Sequence, residues 1–223
     1  MYICFLELHL GSEQRLENFE NTPVSGEEQV SDNKPVNSRQ STLLLYLHDL
    51  VYLLAIMIVA LLLLFRIVVV SGSSMKNTLV DGDYLLLISN VFYREPKRED
   101  VVVISKESFD NGKPIVKRVI ATEGQLVDID FTNGIVYVDK VALNEPYLST
   151  PTTNFEGVQF PLTVDTGCVF VMGDNREGSK DSRDPEIGLV DRREILGKVI
   201  FLLLPGGDKG AQSPNFDRIG VVS

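Results

Sequence analysis

A serine hydroxyl becomes a useful nucleophile only when a neighbouring base takes its proton. This chain crowds three serines into Val70-Ser-Gly-Ser-Ser-Met-Lys-Asn-Thr-Leu79. Small residues beside a serine let an extended peptide come close, and they leave backbone N–H groups free to receive an oxyanion. Taken alone, such a stretch reads more readily as a flexible linker. The usual base is scarce, because His9 and His48 are the only histidines. One lies in the N-terminal segment and the other at the edge of a long apolar run. If that run crosses a membrane, neither reaches a site on the far side. A Ser-His-Asp arrangement is then excluded, and so is a metal centre built on histidine. The base must be Lys, Asp or Glu.

Val116-Lys-Arg-Val-Ile120 puts two cations inside an apolar, strand-like run. Side chains alternate along a strand, so Lys117 and Arg118 point to opposite sides and one of them faces the core. Burial penalises an ammonium, and a lysine that is neutral near pH 7–8 can accept a serine proton. The plainer reading is an edge-strand pair with both charges in water. A third element, Val171-Met-Gly-Asp-Asn-Arg-Glu-Gly-Ser-Lys-Asp-Ser-Arg183, alternates Asp174, Arg176, Asp181 and Arg183 in sign. Such a loop can hold a polar network that fixes nearby groups, or it can be solvated surface.

Three kinds of segment must position these residues. From Leu50 to Phe65 run sixteen residues without a charge, and Ile67–Val70 prolongs the apolar character past Arg66. A membrane span takes about 20 apolar residues, which Leu50–Val70 supplies if Arg66 snorkels to the headgroups. The segment before it is rich in Glu, Asn, Ser, Gln and Pro and reads as a disordered tail. Positive charges flank the span almost evenly, so they do not orient it. After it come short β-branched runs between turn signals: Tyr84–Ile88, Val101–Ile104, Ile115–Ile120, Leu126–Ile129, Ile135–Val138, Cys168–Met172 and Val199–Leu204. Asn133-Gly134 marks a hairpin. The expected fold is mainly β, an antiparallel-sheet catalytic domain behind one transmembrane helix. Its divisions are a tail at 1–42, a helix at 43–70 and the domain at 71–223, with residues 205–223 a loosely held end.

A formal charge of −10 and a pI near 4.7 leave no cationic surplus for a nucleic-acid partner. Two cysteines, Cys4 and Cys168, are too few for a disulfide scaffold, and Cys168 reads as a buried thiol.

The three elements, in this order behind a single span, resemble the type I signal peptidase family. Ser-Gly-Ser-Ser-Met-Lys-Asn-Thr-Leu79 is similar to its serine motif, Val116-Lys-Arg-Val-Ile120 to its lysine motif and Gly173-Asp-Asn-Arg-Glu-Gly-Ser-Lys-Asp-Ser-Arg183 to its Gly-Asp-Asn-Arg loop. Lys-Arg-Glu-Asp-Val-Val-Val103 is like a further box. The resemblance implies Ser74 as nucleophile, Lys117 as general base and an acyl-enzyme on the route, with no metal or cofactor. It implies that Ser179 orients the lysine amine. Asp181 with Arg183, and Asp174 with Arg176, would support the site, and Met75 would pack beside the substrate groove. Gly72 stands where some members carry an oxyanion-donating hydroxyl, which leaves that task to backbone N–H groups, chiefly that of Ser74. The implied substrates are secretory preproteins with Ala-x-Ala-like cleavage sites. The implied location is the cell membrane, crossed once, with the N-terminus cytoplasmic and the domain against the outer leaflet. Asn77, Glu99 and Ala121-Thr-Glu-Gly124 depart from the family's Pro, Gly and Gly-x-Pro-Gly. The rival readings are an inactive membrane-tethered binding module of the same fold and a self-cleaving Ser-Lys regulator.

Overall fold

The computed structural model describes residues 38–148, 150–207 and 215–222. The tail expected at 1–42 lies outside them as far as residue 37, with Cys4 and His9. Helix α1 runs Ser38–Leu64. Within it Thr42–Leu64 is 23 residues of high hydropathy, about 35 Å long at ~1.5 Å each. That exceeds the roughly 30 Å of a hydrocarbon core. Its apolar side chains, from Leu43 to Leu63, stay exposed all round. A helix of a water-soluble core would bury one face.

The helix does not continue to Val70, and the boundary expected there moves back to Leu64. Phe65-Arg-Ile-Val-Val69 is instead strand β1, paired at every position with β2, Tyr84–Ser89. The physical reason is the run Ile67-Val-Val, whose branched Cβ atoms pack well on a pleated surface, next to a partner strand with its own apolar row. Arg66 therefore sits exposed on a strand and has no need to snorkel along a helix.

Beyond β2 come β3 (Val101–Ile104), β4 (Ile115–Thr122), β5 (Leu126–Asp130), β6 (Ile135–Val138), β7 (Val141–Ala142) and β8 (Leu162–Thr163). They are followed by β9 (Cys168–Met172), β10 (Val190–Asp191), β11 (Ile195–Leu204) and β12 (Gly220–Val221). All pairings are antiparallel, as the sequence leads one to expect. One sheet has the order β1-β2-β11-β3-β4-β9-β10, with β12 on β11; a second has the order β7-β6-β5-β8. The expected hairpin is β5–β6, but its loop is four residues and only Gly134 takes a positive φ. Asp130 caps that loop by accepting from the N–H groups of Thr132 and Asn133.

Strand β4 is covered on both faces. Val119 packs in one apolar cluster with Val102 and Val171, while Ile120 packs in another with Phe170 and Met172. A strand in that position buries both parities, which is why neither Lys117 nor Arg118 reaches open water. Cys168 is half-buried against the second cluster, and burial raises its thiol.

The C-terminal end is not loose where it is described; residues 208–214 and 223 lie outside the described set. Arg218 donates to both oxygens of buried Asp83 at 3.0 and 2.6 Å and to the Thr78 carbonyl at 3.2 Å. Asp83 also accepts from the Val80 and Gly206 N–H groups, so the serine-rich loop and the chain end share one carboxylate. Arg218→Ala is expected to cost about 1.5–3 kcal/mol, the range for hydrogen bonds to a charged group. Denaturant unfolding of the purified protein measures it.

Candidate active site

The loop between β1 and β2 is closed at its neck by Val70 N–H donating to Asp83 O and Gly82 N–H donating to Val70 O. Inside it, Leu79 N–H donates to Met75 O at 2.8 Å, making a single turn that drives Met75 and Leu79 into the core with Val70, Leu85 and Val101. Ser74 is half-buried at the head of that turn, whereas Ser71 and Ser73 are exposed. Among the described residues no acceptor takes the Ser74 N–H. The Gly72 N–H is occupied by Asp81 Oδ1 at 2.9 Å, and Gly72 has φ +100°. Gly72 therefore shapes the loop and offers no free donor of its own.

The loop after β9 clamps the serine turn. Asn175 N–H donates to Ser74 O, and Asn175 Nδ2 donates to Ser73 O, each at 3.0 Å. A Cβ on Gly173 would overlap both the Ser179 side chain and the Ser74 carbonyl, so glycine alone permits this approach. Strand register supplies the lysine. Arg118 pairs with Met172 at the end of the β4–β9 ladder, so Lys117 is the next residue along β4 and Gly173 the next after β9. The Ser74 carbonyl and the Ser179 hydroxyl border Gly173.

Lys117 is 2% exposed. Burial lowers its amine to about 8, against the opposing pull of Asp181 and Glu156. Among the described residues no carboxylate forms an ion pair with it. Ser179 Oγ donates to Asp181 Oδ2 at 2.9 Å and keeps its lone pairs as acceptors. The same oxygen of Asp181 accepts from the Gly173 N–H at 2.9 Å, and Arg183 grips Asp181 through Nε at 2.8 Å and Nη2 at 2.9 Å. The Asp181–Arg183 pair is as expected.

The expected pairing of Asp174 with Arg176 is not found. Asp174 is held by Arg118, Nε to Oδ1 at 2.9 Å and Nη2 to Oδ2 at 2.8 Å, both partners buried. Asp174 also accepts from the Thr78 hydroxyl, which links β4 to the serine turn. Arg176 turns the other way, donating to Glu145, Thr152 and the Gly173 carbonyl. The physical reason is the burial of Arg118: a guanidinium cannot lose its charge, so it takes the nearest carboxylate. Arg118, Thr78, Glu145, Thr152 and Tyr147, whose ring lies 4.0 Å below the Arg118 guanidinium, are site residues that sequence reasoning missed. The readable signal was the second cation of Lys117-Arg118, once both faces of the strand were taken as covered.

The parts are a buried lysine whose amine is lowered, a serine turn with a free N–H, and two guanidinium–carboxylate clamps, one of which reaches the serine turn through Thr78. They are those of an acyl-transfer site. Comparison with known proteins names the class more closely. Residues 43–204 match the family model described as signal peptidase, peptidase S26. Signal peptidase I of Bacillus licheniformis is 37% identical over 150 residues, covering 64% of this chain and 78% of that protein. The probable signal peptidase I-1 of Synechocystis is 34% identical over 169 residues, covering 71% and 82%. Signal peptidase I T of Bacillus subtilis is 37% identical, covering 64% and 75%. The chain belongs to the signal peptidase family, peptidase S26. Its exposed apolar helix fits a membrane-anchored enzyme.

Arg118→Ala would leave the buried Asp174 without its cation and is expected to cost about 3–5 kcal/mol. Thermal or denaturant unfolding against the parent protein checks it.

Proposed function

We propose that this protein is a serine endopeptidase that removes N-terminal signal peptides from secretory preproteins, with Ser74 as nucleophile and Lys117 as general base. The observation that carries the reading is the burial of Lys117 without an ion-pair partner among the described residues, on the strand whose Arg118 pairs with Met172, the residue before the glycine that abuts the Ser74 carbonyl. Neutral Lys117 takes the Ser74 proton, the oxygen attacks the scissile carbonyl, and the new ammonium protonates the leaving amine. Water then hydrolyses the ester with Lys117 again as base. The Ser74 N–H supports the oxyanion. Ser179 and Asp181 orient the amine.

The Ala-x-Ala-like preference is the one the family resemblance implies. Met75, Val70 and Leu79 are buried beneath the loop and fix its shape, with Val68 and Val116 half-buried beside them. Strand β1 is the edge of its sheet and runs straight into the serine loop. An extended peptide added to that edge by backbone hydrogen bonds would be delivered to Ser74. In this reading, which the family resemblance supports, the N-terminus is cytoplasmic and the β domain lies on the extracytoplasmic face of the cell membrane, after one crossing and in contact with lipid. The formal charge of −10 argues against a nucleic-acid partner. No feature favours an inactive binding module, since the serine turn and the buried lysine are both retained.

Ser74→Ala and Lys117→Ala are each expected to abolish cleavage of a model preprotein in detergent or liposomes while circular dichroism shows an intact fold. Substantial residual cleavage by either variant counts against the assignment. The pH dependence has a definite sign. A base lowered to about 8 is charged and idle below that value, so kcat/KM rises with pH through 8 to a plateau. It should be about tenfold lower at pH 7 than at pH 9, and a flat profile excludes Lys117 as base.

A further inference from the structure

Two carboxylates face one cation behind the lysine. Arg183 gives Nε and Nη2 to Asp181, and its other bonds go to the carbonyls of Arg176, Ser179 and Asn154. Glu156 brings Oε1 to 3.2 Å from the same Nη2, but its Oε2 is buried with no hydrogen-bond partner among the described residues. Glu156 is half-buried, and its Oε1 has besides Arg183 only a 3.5 Å contact from Asn154 Nδ2. A carboxylate that shares a cation already claimed, and has one buried oxygen without a donor, is poorly compensated as an anion. The segment that carries it, between β7 and β8, is nonetheless fixed in place. Val158 N–H donates to Arg183 O, Arg183 Nη1 to Asn154 O and Arg176 to Thr152.

We propose that Glu156, which lies outside all three sequence motifs, is a positioning residue for the base: its carboxyl sets how much negative charge faces the Lys117 amine. The inference rests on the reading of Lys117 as base. The charged groups around Lys117 are Asp181, Glu156, Arg183 and Asp174; those around Glu156 are Asp181, Arg183 and Asp184. Ionised Glu156 favours the ammonium. Burial, with Asp181 beside it, pushes the Glu156 carboxyl up to about 7, so it takes up a proton as pH falls through neutrality. That removes one of the charges holding the ammonium in place, so below neutrality a larger fraction of Lys117 is neutral than a fixed carboxylate would leave. Glu156 thereby widens the working range on the acid side.

The test is the pH profile of kcat/KM for a fluorogenic signal-peptide-derived substrate, using the full-length protein in detergent from pH 5.5 to 10. Glu156→Gln removes the charge permanently. Its acid limb should move to lower pH by about half a unit, which a unit charge several ångströms away exerts even at the dielectric of water, with the alkaline plateau kept within a few-fold. Glu156→Asp keeps the charge and should keep the limb near the parental position. Should the Gln variant fail to fold, Glu156→Ala carries the same expected shift. A Gln limb that stays in place or moves upward overturns the inference, as does an Asp limb displaced as far as the Gln limb, the mark of a purely structural role. A parental limb that the Gln variant leaves unmoved defeats only the proposal for Glu156. A parental enzyme with no acid limb defeats the reading of Lys117 and this inference with it.

Discussion

An ammonium taken out of water costs several kilocalories per mole unless something replaces its hydration, and the Lys117 amine is surrounded by groups that are committed elsewhere. Three guanidinium ions lie nearby, and each takes a carboxylate: Arg118 takes Asp174, Arg183 takes Asp181 and Arg176 takes Glu145. Arginine keeps its charge at any accessible pH, whereas lysine does not. When both kinds of cation compete for the same acids in a dry site, the arginines win them and the lysine is left to shed its proton. The lowered amine is a product of burial first, with the arginines keeping the nearby acids occupied. Without the arginines, Asp181 or Asp174 would be free to hold the lysine charged in a salt bridge.

The same cluster explains why a single loop matters so much. The segment from Gly173 to Arg183 closes against the serine turn through Asn175, against β4 through Asp174 and against its own backbone through Asp181 and Arg183. The Ser74 carbonyl and the Ser179 side chain meet there only because Gly173 has no Cβ at the crossing. A missing Cβ and two ion pairs thus act together on one loop. Each fixes a different coordinate of the candidate site.

Much of this was legible in the residues. Every strand read from β-branched runs between turn signals is present, because a short apolar run flanked by Gly, Asp or Pro has few other uses. The helix end at Leu64 was not legible. Ile67-Val-Val is as apolar as the span before it, and only its pairing with β2, some twenty residues on, decides that it is strand. The chain end was misread for a similar reason: its Gly, Pro and Asp suggest looseness, but Arg218 meets a carboxylate 135 residues away in sequence. At the site, the pair of Asp181 and Arg183 is local and readable. The partner of Asp174 lies on β4, so the pairing with Arg176 that the resemblance implied missed Arg118. Contacts of long sequence separation are where residue patterns stop carrying information.

The departures from the family pattern turn out to differ in kind. Glu99, where the resemblance leads one to expect glycine, holds φ +76° and aims its carbonyl at Arg118 Nη1, 3.0 Å away. That conformation is one glycine adopts freely and glutamate adopts at a cost of about 1 kcal/mol. Glu123 lies at the second position of a turn in which Gln125 N–H donates to Thr122 O and Gly124 has φ +79°, a position where proline fits well. Here the carboxylate supplies ties that proline lacks, accepting from the Gly167 N–H and from Arg192, each at 2.9 Å. Asn77 is different again. Its φ of +89° is forbidden to proline, whose ring locks φ near −65°, so the turn behind Ser74 follows a path that a proline at this position could not take. The first departure puts a glutamate in a conformation that suits glycine, and the second replaces rigidity with bonding. The third changes the backbone itself, within a few residues of the candidate nucleophile, where the path of the chain decides the direction of the Ser74 N–H.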